Sequence, residues 1–481
     1  MLYKVLAFFQ FIIIVVLIVA LGSHYVSFGG SSLVVRTPEA PGESTVEYTP
    51  PPPPKVMVES LAQIKELKEA FTPTIVKVTD DIYYARGYAL GGVQMVITDE
   101  GLVIIDTTES LDAAREILAE FRKITDKPVK YIIYTHGHVD HIVGAPVFMG
   151  PDTQVIATED CVEFMKKDFG WLAPFQRRCR KIQSGDMDPE YARKPPMQSK
   201  VRLSHTAGEK DIVWPTITFD QEYSFELGGK EFKLYHTIGE TPDHLMVWMP
   251  QEKALFPGDL YYASFPNLHT PMLEPRPVRG WYESLDRMAK MDAEYLIPGH
   301  SFEIIGAREI KETLEAHSAG IKSVFDQTIE CINQGLNVEE AVAKVKLPPN
   351  LAAREHLQEV YGRVDWSVRG IYQGETGWYD GHGSGLNPLP SSYANREVVK
   401  LAGGADKLLV RAIELQKANE HQLVCELCDV VIKANPKDKT ARAIKADSLD
   451  YLGYQSGNLN MFGFYRSAAA MERKAAGIKI E

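Results

Sequence analysis

The sequence predicts an α/β fold, an αββα sandwich, followed by an all-α domain. Three observations carry that expectation. Short β-branched strands succeed one another from residue 75 and lead through one helix to a loop crowded with histidines. Three later strands each end in a polar residue beside Gly or Pro, and the stretch from 404 to 475 has helical periodicity.

With 481 residues, 45% hydrophobic and 24% charged, the chain is long enough for two or three globular domains. Its net charge of −12 argues against nucleic acid as a partner, because a phosphate surface needs clustered Lys and Arg. The five cysteines, Cys161, Cys179, Cys331, Cys425 and Cys428, are too dispersed for a disulfide framework. Cys425 and Cys428 form a C-x-x-C within a helical pattern, and without a βαβ context they read as ordinary helix residues.

Taken in order, residues 1–22 hold an apolar run from Val5 to Leu21 broken only by Gln10. A bilayer core needs about 20 apolar residues, so the run is an uncleaved membrane anchor that leaves the rest of the chain on the non-cytoplasmic side. The alternative is a signal peptide cut near Ala20-Leu21-Gly22, giving a secreted or periplasmic product. Residues 23–71 read as a Pro/Gly/Ser-rich linker with a short helix, with Pro50 to Pro54 as an extended polyproline spacer. The α/β domain is expected over 72–330 and a helical domain over 331–481.

Within the first of these, the runs 75–78, 82–84, 93–98 and 102–106 alternate as strands, with a turn at Asp99-Glu100-Gly101. Leu111, Ala114, Ile117, Leu118 and Phe121 then mark one face of a helix. The strand 129–134 delivers Thr135-His136-Gly137-His138-Val139-Asp140-His141. Four side chains able to ligate a metal, at i, i+2, i+4 and i+5, converge only if the backbone turns sharply, which Gly137 permits. Three imidazoles and a carboxylate suit zinc.

One short loop cannot fill the coordination shells of two metals, so further ligands must follow. The strand ending at His236 leads into Gly239-Glu240-Thr241-Pro242-Asp243-His244; another ends at Pro257-Gly258-Asp259; a third ends at Pro298-Gly299-His300. Each alone reads as a turn former or an exposed strand end, but their shared pattern after the loop points to one site.

In this pattern the sequence resembles the metallo-β-lactamase-fold hydrolases. That resemblance implies that His136, His138 and His244 hold one zinc, that Asp140, His141 and His300 hold a second, and that Asp259 bridges. A narrower resemblance, to the linear alkylsulfatases, runs from about residue 75 to 472. It is carried by Arg86-Gly87-Tyr88, by Val364-Asp365-Trp366-Ser367 with Gly377-Trp378-Tyr379-Asp380-Gly381, by Leu386-Asn387-Pro388, and by Leu452-Gly453-Tyr454-Gln455 with Phe464-Tyr465-Arg466. It implies that the C-terminal helices form a dimerisation domain and that the chain is a homodimer. Their paired helices also resemble tetratricopeptide hairpins.

The pattern departs from that family at two points. Its secreted members carry Glu where His244 and Asp259 stand here, and they end in a sterol-carrier-like domain that this chain is expected to lack.

The chemistry implied is hydrolysis of a small anionic sulfate ester by a zinc-activated water, with Asp140 and Asp259 as the catalytic carboxylates. Arg276 and Arg279 are the candidates for gripping the sulfate, since a guanidinium suits a tetrahedral oxyanion. Two other classes stay open: another hydrolase of this fold, acting on a lactone, phosphodiester or β-lactam, and a membrane-tethered assembly module without catalysis.

Overall fold

The computed structural model describes residues 42, 44–51, 69–187 and 212–478. The anchor or signal expected at 1–22, and most of the linker, lie outside the described residues; Glu69 and Ala70, at its end, are helical. Among the described residues no helix is long and apolar enough to cross a membrane.

Alternation along the strands decides the layering. The first sheet runs β1 (Thr74–Lys77), β2 (Ile82–Arg86), β3 (Val93–Ile97), β4 (Leu102–Ile105), β5 (Val129–Ile133), β6 (Gln154–Thr158) and β7 (Ile217–Phe219). Neighbours are antiparallel up to β4, where tight turns suffice. From β4 onward they are parallel and need crossovers, the first of which is helix α1 (Leu111–Phe121). Ser110 starts that helix by accepting the Ala113 N–H.

Every residue of β4 is buried, so the sheet is covered on both faces. Leu102 and Ile104 meet Ala114, Ile117 and Phe121 of α1. Val103 and Ile105 point the other way, as successive strand side chains must, and join Phe232, Leu234, Val247 and Phe256 of the second sheet.

That sheet has the order β13 (Ile304–Ile305), β12 (Tyr295–Leu296), β11 (Ala254–Phe256), β10 (Leu245–Met249), β9 (Lys230–His236) and β8 (Glu222–Leu227). Its outer face lies under two further helices: Trp281 and Leu285 come from the first (Val278–Met288), Leu314 and Ile321 from the second (Ala307–Asn333). Helix, sheet, sheet and helix make up the αββα sandwich. The boundary expected at residue 330 falls inside the longer of these helices, and Val364, Val368 and Ile371 still belong to the same core.

The chain then continues as helices only. Numbered in chain order after α1, the short helix Val139–Ile142 is α2, Ala173–Gln183 is α3, Val278–Met288 is α4 and Ala307–Asn333 is α5. They are followed by α6 (Val364–Thr376), α7 (Ser391–Leu401), α8 (Ala405–Lys417), α9 (His421–Ala434), α10 (Lys439–Gln455) and α11 (Leu459–Ala476). Leu409, Leu415, Val424, Val431 and Ile444 form their separate core. Cys425 and Cys428 sit on α9 as buried free thiols, as the helical pattern around them implies.

A strap of residues 44–48 lies along these helices. Asp438 accepts both the backbone N–H and the hydroxyl of Ser44, each at 3.0 Å. Asp406 does the same for Thr45, at 3.0 and 2.6 Å. The Tyr48 hydroxyl donates to Asp447 at 2.8 Å, and Val46 and Tyr48 pack on the helical core.

Candidate metal centre

The site forms where the loops after β5, β9, β11 and β12 meet at one edge of the two sheets. Buried β5 delivers His136, and helix α2 begins inside the motif, with His138 at its N-cap and Asp140 in its first turn. Gly137 leaves room that a side chain would take: a Cβ there would lie 2.7 Å from Phe164.

Two clusters of donors result, each with its ligand atoms within 4.8 Å of one another: His136, His138 and Glu240, and Asp140, His141, Asp259 and His300. In the first, His136 Nε2 and His138 Nδ1 are 2.8 Å apart. In the second, His300 Nε2 lies 3.0 Å from Asp259 Oδ2 and 3.3 Å from Asp140 Oδ2, and His141 Nε2 lies 3.4 Å from Asp259 Oδ2.

In His136, His141 and His300 the far side of the ring is fixed by the fold, which leaves Nε2 to the site. His300 Nδ1 donates to the Leu90 carbonyl at 2.8 Å, and His141 Nδ1 donates to Asp106 Oδ2 at 2.7 Å. Asp106 also accepts the N–H and the hydroxyl of Thr135, both at 2.8 Å, and the same hydroxyl oxygen takes the Nδ1 hydrogen of His136 at 3.1 Å. One carboxylate at the end of β4 thus orients a histidine in each cluster. Asp106→Asn is expected to weaken metal binding about 10- to 100-fold while the chain stays folded, as measured by competition with a chelator.

The donors fit a pair of divalent ions. His141 Nε2, Glu240 Oε2 and Asp259 Oδ1 are all buried without a hydrogen-bond partner, and each such atom costs about 1–3 kcal/mol unless something answers it. Imidazole and carboxylate together are a borderline set that suits zinc. Burial, and then the nearby Arg276 charge, pushes His138 down to about 3, and burial also depresses His136, so both rings are in the neutral, ligating form.

His244 stands apart from the place expected for it. Its Nε2 accepts the backbone N–H of Asp259 at 3.0 Å, and its ring stacks on His136 with centroids 4.7 Å apart. It is absent from both clusters, and Glu240, four residues earlier in the same loop, completes the first one. Sequence reasoning missed Glu240, although the Gly239-Glu240-Thr241-Pro242 turn and the family's use of Glu near this position both signalled it.

The two arginines part company as well. Arg276 is 8% exposed, pairs with Glu240, and lies 5.9 Å over the Trp281 ring. Arg279 is 74% exposed and pairs with Glu283 one turn along α4. A cavity of about 1040 Å³ opens over the clusters, and its walls combine Phe164, Leu172 and Phe175 with Arg276 and Tyr361. Tyr361 was also missed. Its ring meets Tyr262 edge-on at 5.6 Å, and Tyr262 in turn meets His300 at 6.4 Å.

A four-layer sandwich with two His/carboxylate clusters at one sheet edge is the architecture of the metallo-beta-lactamase superfamily, whose model matches residues 87–300. A second model, alkyl sulfatase dimerisation, matches residues 337–475. The chain belongs to the alkylsulfatase family. It is 34% identical over 395 residues to a linear primary-alkylsulfatase of Pseudomonas sp., covering 80% of this chain and 74% of that one. It is 28% identical to the alkyl/aryl-sulfatase BDS1 of Saccharomyces cerevisiae, covering 79% of this chain and 61% of the relative. The fold matches the stereoselective inverting sec-alkylsulfatase Pisa1 from Pseudomonas sp. with a TM-score of 0.80 and 25% identity, over 86% of this chain and 68% of the other.

Proposed function

We propose that the chain hydrolyses sulfate esters, alkyl sulfates among them, with two zinc ions held at the sheet edge. The observation that carries this is the cavity that joins both donor clusters to a buried arginine in a chain of the alkylsulfatase family. His136, His138 and Glu240 would hold one ion, and Asp140, His141, Asp259 and His300 the other. When bound, the pair supplies a water activated near neutral pH and positive charge for the ester oxygens.

The chain's own groups do the rest. The Asp140 carboxylate orients the attacking water and accepts its hydrogen. The Arg276 guanidinium, anchored by Glu240, turns its remaining N–H donors to the anionic ester. Tyr361 borders the same space and offers a phenol to a sulfate oxygen. The apolar walls take the alkyl portion and exclude water. His244 is a buttress in this reading, holding the Asp259 backbone, and Arg279 borders the cavity as an exposed residue paired with Glu283.

The deciding assay is release of free sulfate from a primary alkyl sulfate by the zinc-loaded chain. Turnover of a lactone or phosphodiester with no sulfate released would remove the reading in favour of another hydrolase of this fold. The dimerisation region carries exposed Trp378, Leu386, Leu389 and Leu401, which supports a homodimer closing over them. The apolar run 5–21 supports a membrane-anchored chain with its catalytic domain on the non-cytoplasmic side, and the mature amino terminus decides between an anchor and a cleaved signal.

A further inference from the structure

We propose that Asn458 is a positioning residue for the metal centre, clasping the turn 359–362 so that Tyr361 is held in the cavity wall; this rests on the reading of that cavity as the substrate site. Asn458 is fully buried at the N-cap of α11. Its Oδ1 accepts the Met461 N–H at 2.9 Å, which is all that helix capping requires. Its Nδ2 does something else: it donates toward the carbonyls of Glu359 at 2.8 Å, Tyr361 at 3.0 Å and Gly362 at 3.3 Å. An amide has two N–H donors, so one group is shared among three carbonyls of a single turn.

The first turn of α11 strengthens the clasp. Leu459 N–H donates to the Val360 carbonyl at 2.8 Å, and Asn460 Nδ2 donates to the Tyr361 carbonyl at 3.0 Å. Asn460 Oδ1 accepts from Gln183 at the end of α3, whose Phe175 also lines the cavity. From the other side the turn is wedged against the sandwich: a Cβ on Gly362 would come within 2.1 Å of the Pro266 carbonyl oxygen. The backbone of Tyr361 is therefore gripped between α11 and the loop after β11, while its side chain borders the cavity with Arg276.

Ser, Thr and Asp cap helices as well as Asn does, but none of them supplies the amide donors. Asn458→Ser therefore separates the two jobs. It is expected to keep metal content and dimer state, to lower kcat on an alkyl sulfate about 10- to 100-fold with a much smaller change in KM, and to speed amide hydrogen exchange at 359–362. In a Tyr361→Phe background the same change should add less than about twofold, because both act through one phenol. A full multiplicative loss in that background, or wild-type kcat in Asn458→Ser, would overturn the proposal. If the wild-type chain releases no sulfate, the proposed function fails, and unchanged exchange at 359–362 in Asn458→Ser would separately overturn the clasp. Should that variant fail to accumulate, Asn458→Thr, also a helix cap without amide donors, carries the same expectations.

Discussion

His138→Ala is expected to leave the purified chain with close to one metal equivalent instead of two, and to lower kcat/KM by about 10³-fold. His138 Nδ1 faces His136 Nε2 across 2.8 Å, and both residues belong to the first donor cluster. Without it the first cluster keeps only His136 and Glu240, fewer than the three protein ligands that catalytic zinc sites use. The second cluster shares no residue with the first and should stay loaded. Loss of one ion removes several kcal/mol of charge stabilisation, about 4 kcal/mol for a 10³-fold effect. Metal analysis after purification without chelator checks the first number. Unchanged content in the variant would mean that His138 is not a ligand.

Arg276→Ala should have two separable effects. A guanidinium hydrogen-bonded to an anionic ester is worth about 1.5–3 kcal/mol, so kcat/KM on alkyl sulfates should fall roughly 10- to 150-fold at saturating zinc. The structure pairs Arg276 with Glu240, so the variant also frees a ligand's anchor and should weaken the first metal site by about 10- to 100-fold. A neutral ester, assayed with excess zinc, should be affected far less than a sulfate ester. Equal losses on both substrates would make Arg276 purely an anchor for Glu240.

The metal loop was legible because its donors lie within six residues on one strand-end, where local pattern and chemistry coincide. Asp259 and His300 were legible for a similar reason, each following a short buried strand beside a glycine. The choice between His244 and Glu240 was signalled in the sequence but not decided by it. Both stand in one loop, and which of them turns inward depends on the Asp259 backbone N–H capturing the histidine, a contact made across two strands. Asp106 read only as the end of a strand; its partnership with His141 follows from the parallel pairing of β4 and β5. Arg279 borders the cavity too, but as an exposed side chain. The periodicity that buries Trp281, Leu285 and Met288 turns position 279 to solvent. Asn458 and Tyr361 lie 97 residues apart, and no local signal joins them.

The strap at Ser44 and Thr45 sets the path along which the molecule bears load. Tension entering from the amino end would be taken up at Asp438 and Asp406, and through them by helices α8 and α10. Strand β1 is an edge strand paired with β2 alone, the kind of element that peels open one hydrogen bond at a time. With the strap in place, that edge stays slack until the hydrogen bonds at residues 44, 45 and 48 have parted. The helices serve as the bollard to which the chain is moored, and the catalytic sandwich rides free of the rope.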